Sequence, residues 1–391
     1  MYAVYFCGGK RPTARGGKIL KAYFDNSATT MPCENAVRAM NNACLKEWGN
    51  PSSLHFKGLE ASAEINRARK SAASLLGCEE SEIYFSPSGT AANNLAVLGS
   101  VNEKNKNLRK IVTTAMEHPS VSKCMDALEE RGFEVIRLKP DKNGVISPER
   151  FSEVIDEKTA LVSVMAVNNE TGSVLPFDEI KRIIRRKKSS ALLHVDAVQA
   201  FGKIRVNASS ADMITASAHK IHALKGSGLL YVKKGVKLKP CILGGGQESN
   251  LFSGTQNVPA IAAFGAAIEE ARDIESHLDY VNSLNSFLRQ RLSSLDGVRF
   301  NSPENALGYI LNVSVSGVRS QVTVNALSEM GICISAGSAC SKGHRSETLV
   351  SMGLDAERID SAVRISLSRY NTKEEIDLLY DGLKTVIESV K

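Results

Sequence analysis

The sequence has no long hydrophobic run and few aromatic residues. Its 391 residues contain one tryptophan, and aromatic side chains make up 6% of the chain. Residues 260–268 form one of the longest apolar stretches, well short of the roughly 18–20 residues that a membrane helix needs. No membrane span is therefore predicted. With 43% hydrophobic and 23% charged residues, the composition is that of an ordinary globular protein, and the length suffices for two domains.

The cysteines and histidines lack the spacing of a disulfide framework or a metal site. In a chain of this length, scattered cysteines without a Cys-x-x-Cys pair predict free thiols in a reducing cytoplasm. His219 and His222 are three residues apart, but no second ligand pair accompanies them, so no metal site is predicted. The eight cysteines are Cys7, Cys33, Cys44, Cys78, Cys124, Cys241, Cys333 and Cys340.

The net charge of +7 is spread along the chain. Its densest basic cluster, residues 182–188, is typical of the solvated face of a helix, so direct nucleic-acid binding is not predicted, while an anionic protein surface remains a possible partner. Residues 1–21 are basic and glycine-rich and lack the apolar core of a signal peptide. We interpret them as an extension outside the fold.

Strands and helices alternate over residues 24–265. Residues 111–114, 134–138 and 160–165 are short apolar strands, and helical patterns such as residues 120–132 separate them. This alternation predicts an α/β fold with a mostly parallel sheet covered on both faces.

The C-terminal part of the chain has a different pattern. A long helix is predicted over residues 260–294, and strands are predicted over residues 309–315 and 362–367. These elements indicate a smaller α+β domain.

An acid and a lysine follow two successive predicted strands. Asp196 ends one apolar run, and Lys220 ends the next. Open α/β sheets bind ligands at the carboxyl ends of their strands. Pyridoxal 5′-phosphate (PLP) requires a lysine that holds its aldehyde as a Schiff base and an acid that keeps its pyridine nitrogen protonated. Taken singly, the two residues are more typical of a surface lysine after a strand and of an aspartate that caps a helix; together with the groups at the other strand ends, they favour the cofactor site.

Three other strand ends carry groups suited to the same ligand. The turn at residues 86–94 opens a helix whose free N–H groups favour a phosphate. His118 is placed either to stack on a planar cofactor or to cap the next helix. Asn169, in the turn after residues 160–166, and Gln199 are each able to reach a ring hydroxyl, although the Asn-Asn pair is also suited simply to building a turn. This convergence predicts one small anionic aromatic ligand.

A second centre lies near the C-terminus. Cys340 stands among small residues, and the basic Lys342, His344 and Arg345 favour its reactive thiolate form. Cys333, in an apolar segment, is more typical of a small buried hydrophobe. Arg364 alternates with apolar residues on a strand, where a buried guanidinium suits a bidentate substrate carboxylate.

With these motifs in place, the chain resembles the cysteine desulfurases of the NifS/IscS type, in the class V aminotransferase family of PLP enzymes. The resemblance covers essentially everything after the first 21 residues. Its motifs include Tyr23-Phe-Asp-Asn-Ser-Ala-Thr-Thr30, Asn50-Pro-Ser-Ser-Leu-His55, Ser253-Gly-Thr255, Ser338-Ala-Cys340 and Val363-Arg-Ile-Ser-Leu367.

The resemblance implies a role for each candidate residue. Lys220 would hold PLP, Asp196 would pair with its pyridine nitrogen, and His118 would stack on the ring. Cys340 would accept sulfur, and Arg364 would bind the substrate carboxylate together with Asn169. Asn169 and Gln199 would address the ring hydroxyl, and the phosphate would be held by Gly89, Thr90, Ser217 and His219, with Thr255 supplied by the other subunit of a homodimer.

The resemblance also implies the fold and the domain boundaries. It predicts PLP-dependent fold type I, with a seven-stranded sheet in a large domain and a smaller α+β domain. The large domain would span residues 31–272, and the small domain would combine residues 22–30 and 273–391.

Several positions depart from the family pattern. Ala91 stands where the family has a glutamate, Ala218 replaces a glycine, and Ala223-Leu224 replaces Gly-Pro. The stretch after Cys340 is also about two residues shorter than the commonest pattern in the family. These departures remove no chemical group from the expected mechanism, but they affect loop geometry, rate and the choice of acceptor.

The expected activity is desulfuration of L-cysteine to L-alanine, with a persulfide formed on Cys340. The sulfur would pass to an acceptor protein, such as an iron–sulfur scaffold or a tRNA thiolation enzyme. The alternatives are a selenocysteine lyase and a weakly catalytic sulfur carrier or scaffold.

Overall fold

The computed structural model describes residues 19–336 and 345–389. Its strands are β1 (Ala22–Tyr23), β2 (Ile83–Ser86), β3 (Lys110–Thr114), β4 (Glu134–Leu138), β5 (Thr159–Met165), β6 (Leu192–Asp196), β7 (Met213–Ser217), β8 (Gly228–Val232), β9 (Val298–Phe300), β10 (Ile310–Val315), β11 (Ile332–Cys333) and β12 (Ala362–Ser366). Its α-helices are α1 (Glu34–Leu45), α2 (Phe56–Leu76), α3 (Gly89–Ser100), α4 (Pro119–Glu130), α5 (Pro148–Val154), α6 (Phe177–Arg186), α7 (Val258–Glu270), α8 (Ile274–Leu292), α9 (Ser320–Glu329), α10 (Glu347–Ser351), α11 (Ala356–Asp360) and α12 (Lys373–Glu388).

Seven strands form the main sheet, in the order β2-β8-β7-β6-β5-β3-β4. All neighbouring pairs are parallel except those of β8, which runs antiparallel to both β2 and β7. The inner strand β7 is buried along its whole length, as expected for a sheet covered by helices on both faces. The predicted mostly parallel seven-stranded sheet is confirmed.

A smaller antiparallel sheet, β12-β10-β9, lies in the C-terminal part of the chain. The N-terminal segment joins this part, because β1 pairs in parallel with β11 and Asp25 bridges to Ser366. The Lys21 N–H donates to the Gly331 carbonyl at 2.8 Å. The N-terminal segment therefore packs with the C-terminal sheet.

The predicted long helix over residues 260–294 is wrong, because two helices occupy that stretch. Helix α7 ends at Glu270 and α8 begins at Ile274. The side chain of Asp273 accepts a hydrogen bond from Ser276 N and so caps the start of α8, the role that aspartate favours at a helix N-terminus. The apolar pattern continues across the break, so periodicity alone did not reveal it.

The six cysteines within the described ranges are unpaired, as predicted for free thiols: Cys33, Cys44, Cys78, Cys124, Cys241 and Cys333. Among the helices of residues 19–336 and 345–389, none has the length and apolarity to cross a membrane.

Candidate active site

A cavity of about 570 Å³ lies at the carboxyl ends of the parallel strands. This is where ligands bind in open α/β sheets. Residues that are far apart in the sequence meet at its wall. The predicted site residues that line it are Gly89, Thr90, His118, Asn169, Asp196, Gln199, Ser217, His219, Lys220 and Arg364.

Asp196 ends β6 and is buried. One carboxylate oxygen accepts from Val198 N at 2.9 Å and the other from the Asn93 amide at 2.8 Å. Burial raises the pKa of Asp196, whereas these two hydrogen bonds and the nearby His118 lower it. The acid is thus held in a fixed orientation at the cavity wall.

A second buried acid, Glu117, lies beside Asp196. It accepts hydrogen bonds from the Thr114 hydroxyl at 2.6 Å and from Met165 N at 3.1 Å. Burial nevertheless raises the pKa of Glu117 to about 8, so this carboxyl is mostly neutral at pH 7. Burial thus raises the pKa of both neighbouring acids.

Lys220 lies three residues beyond the end of β7, in a short 3-10 turn. Its ammonium donates to the carbonyl oxygens of Ser27 at 2.6 Å and Ala28 at 2.7 Å. Burial, followed by the positive charge of Arg364, lowers the pKa of Lys220 to about 8. A substantial fraction of this amine is therefore neutral near physiological pH, as a nucleophilic lysine requires.

His118 fulfils one of its two predicted roles directly. It is the N-cap of α4, and its Nδ1 accepts from Ser120 N at 3.1 Å. The same ring lines the cavity. Desolvation by the surrounding protein lowers the pKa of His118, while the Asp196 charge opposes that shift. The helix cap therefore fixes an imidazole at the cavity wall, and capping does not compete with a role in the site.

The predicted phosphate cradle corresponds to the start of α3. Ser88 caps this helix, accepting from Ala91 N at 3.1 Å. A Cβ atom at Gly89 would lie only 3.1 Å from Ser217 Cβ and from Val198 Cγ2. Glycine is therefore the residue that fits this turn without displacing its neighbours, and free N–H groups at the start of a helix attract an anion.

Gln199 is held by a buried lysine. Its Oε1 accepts from the Lys203 ammonium at 3.1 Å, and its Nε2 donates to the Ser27 carbonyl at 2.9 Å. Burial lowers the pKa of Lys203 to about 7. Ser27 O receives hydrogen bonds from both Gln199 and Lys220, so the N-terminal segment orients two predicted cofactor-binding residues.

Arg364, on β12, reaches the cavity from the C-terminal sheet. Its guanidinium donates to the Asn169 carbonyl at 3.0 Å and to the Asp25 carboxylate at 2.9 Å. Its Nε is buried and has no hydrogen-bond partner among the described residues. A buried N–H without a partner is costly, so this atom is suited to a ligand oxygen.

These residues fit PLP. The cavity provides a lysine with a lowered pKa, a buried acid in fixed orientation, an imidazole at the wall and a helix N-terminus closed around Gly89. Lys220 would hold the aldehyde, Asp196 the pyridine nitrogen, and the start of α3 the phosphate.

One predicted residue does not line this wall, and another lies outside the described residues. Thr255 is exposed and does not line the cavity. Cys340 lies outside the described residues, as do Lys342 and His344. Cys333 is half-buried on β11, and burial raises its pKa, which disfavours the thiolate.

Sequence reasoning missed Asn93, Asp25 and Lys203. Asn93 is almost fully buried on α3 next to apolar Ala92, and an amide among apolar helix positions is a signal that it has a buried polar partner. Lys203 follows Gln199 by four residues, a spacing compatible with their contact. Asp25 is separated from Arg364 by 339 positions, and no local pattern connects them.

Comparisons with known proteins agree with this geometry. The aminotransferase class-V family model matches residues 22–379. "Cysteine desulfurase 2" of Trichormus variabilis is 37% identical over 94% of this chain and 94% of its own length.

Two solved structures have the same fold. A NifS-like protein superposes with a TM-score of 0.89 at 36% identity, covering 94% of this chain and 99% of its own. SspA in complex with cysteine superposes with a TM-score of 0.79 at 30% identity, covering 90% and 100%. The resemblance inferred from the motifs is confirmed, and the chain belongs to the class-V aminotransferase family.

Proposed function

We propose that the protein is an L-cysteine desulfurase that uses PLP. The observation that carries the proposal is the meeting of Lys220, Asp196, His118 and Arg364 at one cavity. Relatives that cover nearly the whole chain are named cysteine desulfurases, and one similar structure holds cysteine.

Each residue acts on a defined atom of the substrate. Arg364, with Asn169 at the same cavity wall, binds the carboxylate of L-cysteine and so orients its Cα hydrogen. The amine of Lys220, poised near neutrality by its lowered pKa, removes that proton. Bound PLP would supply the electron sink that accepts the resulting carbanion charge. His118 holds or moves the proton of the substrate thiol.

Sulfur transfer is assigned to Cys340. Its thiolate would attack the substrate sulfur, forming an S–S bond while the Cβ–S bond of the substrate breaks. One L-cysteine and one Cys340 thiol give one L-alanine and one Cys340 persulfide, so the atoms and electrons balance without a further reactant. We expect this chemistry in a reducing cytoplasm, with an acceptor protein taking the sulfur.

We also propose that the active form is a homodimer. Thr255 is exposed and does not line the cavity of its own chain. In a homodimer, Thr255 from a second copy would complete the phosphate site at the start of α3.

The test measures alanine and sulfide release from L-cysteine and selenide release from L-selenocysteine. The parent should release alanine from L-cysteine in the presence of a reductant. Cys340→Ser should keep PLP but lose persulfide formation, because a hydroxyl cannot replace the attacking thiolate. Cys333→Ser is the matched control and should retain activity.

Turnover of selenocysteine alone by the parent would contradict the proposal and favour a selenocysteine lyase. Desulfuration by Cys340→Ser at the parent rate would remove Cys340 from its role. Any selenocysteine activity should survive this substitution, since selenium is the better leaving group.

A further inference from the structure

The guanidinium of Arg364 is oriented by partners from two distant parts of the chain. Nη1 donates to the Asn169 carbonyl after β5, and Nη2 donates to the Asp25 carboxylate near the N-terminus. The backbone of Arg364 is fixed as well, since its N–H and C=O both pair with Ser335. The side chain is 7% exposed, so its orientation depends on these few contacts.

The hydrogen-bonding capacity of Arg364 is only partly used. A guanidinium has five N–H donors, and two of them are assigned to Asn169 and Asp25. The Nε–H is among the remaining donors and has no partner within the described residues. A bidentate carboxylate needs two donors, so Asp25 and a substrate carboxylate can bind Arg364 at the same time.

Asp25 belongs to a tight turn that also contacts Lys220. The Asp25 carbonyl accepts from Ala28 N at 3.0 Å, which closes the turn over residues 25–28. Within it, the carbonyls of Ser27 and Ala28 accept from the Lys220 ammonium. A single turn of the N-terminal segment therefore contacts both the predicted cofactor lysine and the predicted carboxylate-binding arginine.

The charge of Asp25 is part of the electrostatic balance of the cavity. Arg364 lowers the pKa of Lys220, and Asp25 raises it. The charged and titratable groups that influence one another here are Lys220, Arg364, Lys203, Lys225, Asp25, Asp196, Glu117, Glu170, His118 and His219. Asp25 is the carboxylate in direct contact with Arg364.

We infer that Asp25 is a positioning residue that orients Arg364 for the carboxylate of the amino-acid substrate. It accepts one N–H of the guanidinium, while the Nε–H has no partner among the described residues. The identity of that ligand rests on the proposed function, whereas the role in carboxylate recognition is testable with amino acids that contain no sulfur.

The experiment measures equilibrium binding of L-serine and of ethanolamine to the PLP-loaded enzyme, followed by the cofactor absorption spectrum. Ethanolamine is L-serine without its carboxylate. In Asp25→Ala, the Kd for L-serine should rise at least about tenfold, because a charge-assisted contact that fixes Arg364 is lost. The Kd for ethanolamine should remain unchanged. Asp25→Asn, whose amide oxygen still accepts a hydrogen bond, should stay within about threefold of the parent for both ligands.

Glu270→Ala is the matched control. Glu270 pairs with Arg369 at 3.0 Å with side-chain exposures of 26% and 10%, compared with 2.9 Å, 25% and 7% for Asp25 and Arg364. In both pairs, an arginine in the C-terminal part of the chain contacts an acid from an earlier part. Neither Glu270 nor Arg369 lines the 570 Å³ cavity. Glu270→Ala should lower Tm to a similar extent as Asp25→Ala and leave the Kd for L-serine unchanged.

Three results would overturn the inference. Equal weakening of L-serine and ethanolamine in Asp25→Ala would indicate a structural role. Tighter binding of L-serine in that variant would show that Asp25 competes with the substrate. A loss in Asp25→Asn as large as that in Asp25→Ala would exclude orientation through the acceptor oxygen. None of these results depends on whether the parent desulfurates L-cysteine.

Discussion

The two ends of the main sheet each carry a lysine and an aspartate, but they use them differently. At the amino end of β7, Asp212 forms a buried ion pair with Lys181 of α6 and also accepts from Leu193 N at 2.8 Å. At the carboxyl end, Asp196 and Lys220 face one cavity without bonding to each other. Asp196 binds N–H groups and Lys220 binds backbone carbonyls.

This contrast separates a structural pair from a functional one. Lys181 and Asp212 satisfy each other, which leaves neither free for a ligand, and breaking such a buried pair is destabilising. Lys220 and Asp196 are held apart by partners from the N-terminal segment and from α3. The space between them is the cavity, and their charges remain available to whatever occupies it.

Replacing Lys220 and Lys181 should show the difference between the two ends of the sheet most clearly. Lys220→Ala should lower the rate of alanine formation by at least about a thousandfold, because both cofactor attachment and proton transfer depend on this amine. Lys181→Met should leave the activity per folded molecule unchanged but lower the free energy of unfolding by about 3–5 kcal/mol, since the buried Asp212 keeps only the more distant and half-exposed Lys233, at 3.9 Å, as a counter-charge. Turnover assays and urea unfolding of both variants provide the measurements.

The opposite pattern would contradict this division. A stable but inactive Lys181→Met would place the amino end of the sheet in the mechanism. A fully active Lys220→Ala would remove the carboxyl end from it.

A smaller effect, on the free energy of unfolding, should come from the titration of Lys220 at the carboxyl end of the sheet. In the apoprotein, the pKa of Lys220 is lowered from 10.5 to about 8. Between these values the unfolded chain holds a proton that the folded protein has released, so stability rises with pH across this window. The penalty for burying the charged amine is present in full below pH 8.

Urea unfolding of the parent and of Lys220→Met, both without cofactor, isolates this contribution. The difference in unfolding free energy between them should change by at most about 3 kcal/mol between pH 8 and 10.5, in favour of the parent at higher pH. A constant difference over this range would show that Lys220 titrates normally.

The sequence contains enough information to predict the main sheet and most of the cavity wall. Apolar strands followed by polar residues placed Asp196, Lys220 and His118 at one edge, because parallel strands align their carboxyl ends. The side-chain contacts around these residues could not be predicted from the sequence. Asp25 and Arg364 meet across 339 positions, and the break between α7 and α8 depends on a capping aspartate within a continuing apolar pattern.

The roles of Lys203 and Glu117 could not be predicted for a different reason. Both have shifted pKa values caused by burial, and burial is a property of the folded chain. Lys203 lies near Lys220, and its pKa of about 7 is the lower of the two. Reactivity alone would therefore favour Lys203 as the cofactor lysine. Lys203 is enclosed by the protein and bonded to Gln199, however, and this favours Lys220 instead.

Borohydride reduction of the PLP-loaded enzyme, followed by peptide mapping, decides between these lysines and tests the central claim directly. Reduction fixes the cofactor covalently to the lysine that holds it. The geometry predicts a single adduct on Lys220, the amine that opens onto the cavity. An adduct on Lys203 or on any other lysine, or the absence of an adduct, would contradict the assignment of this cavity as the active site.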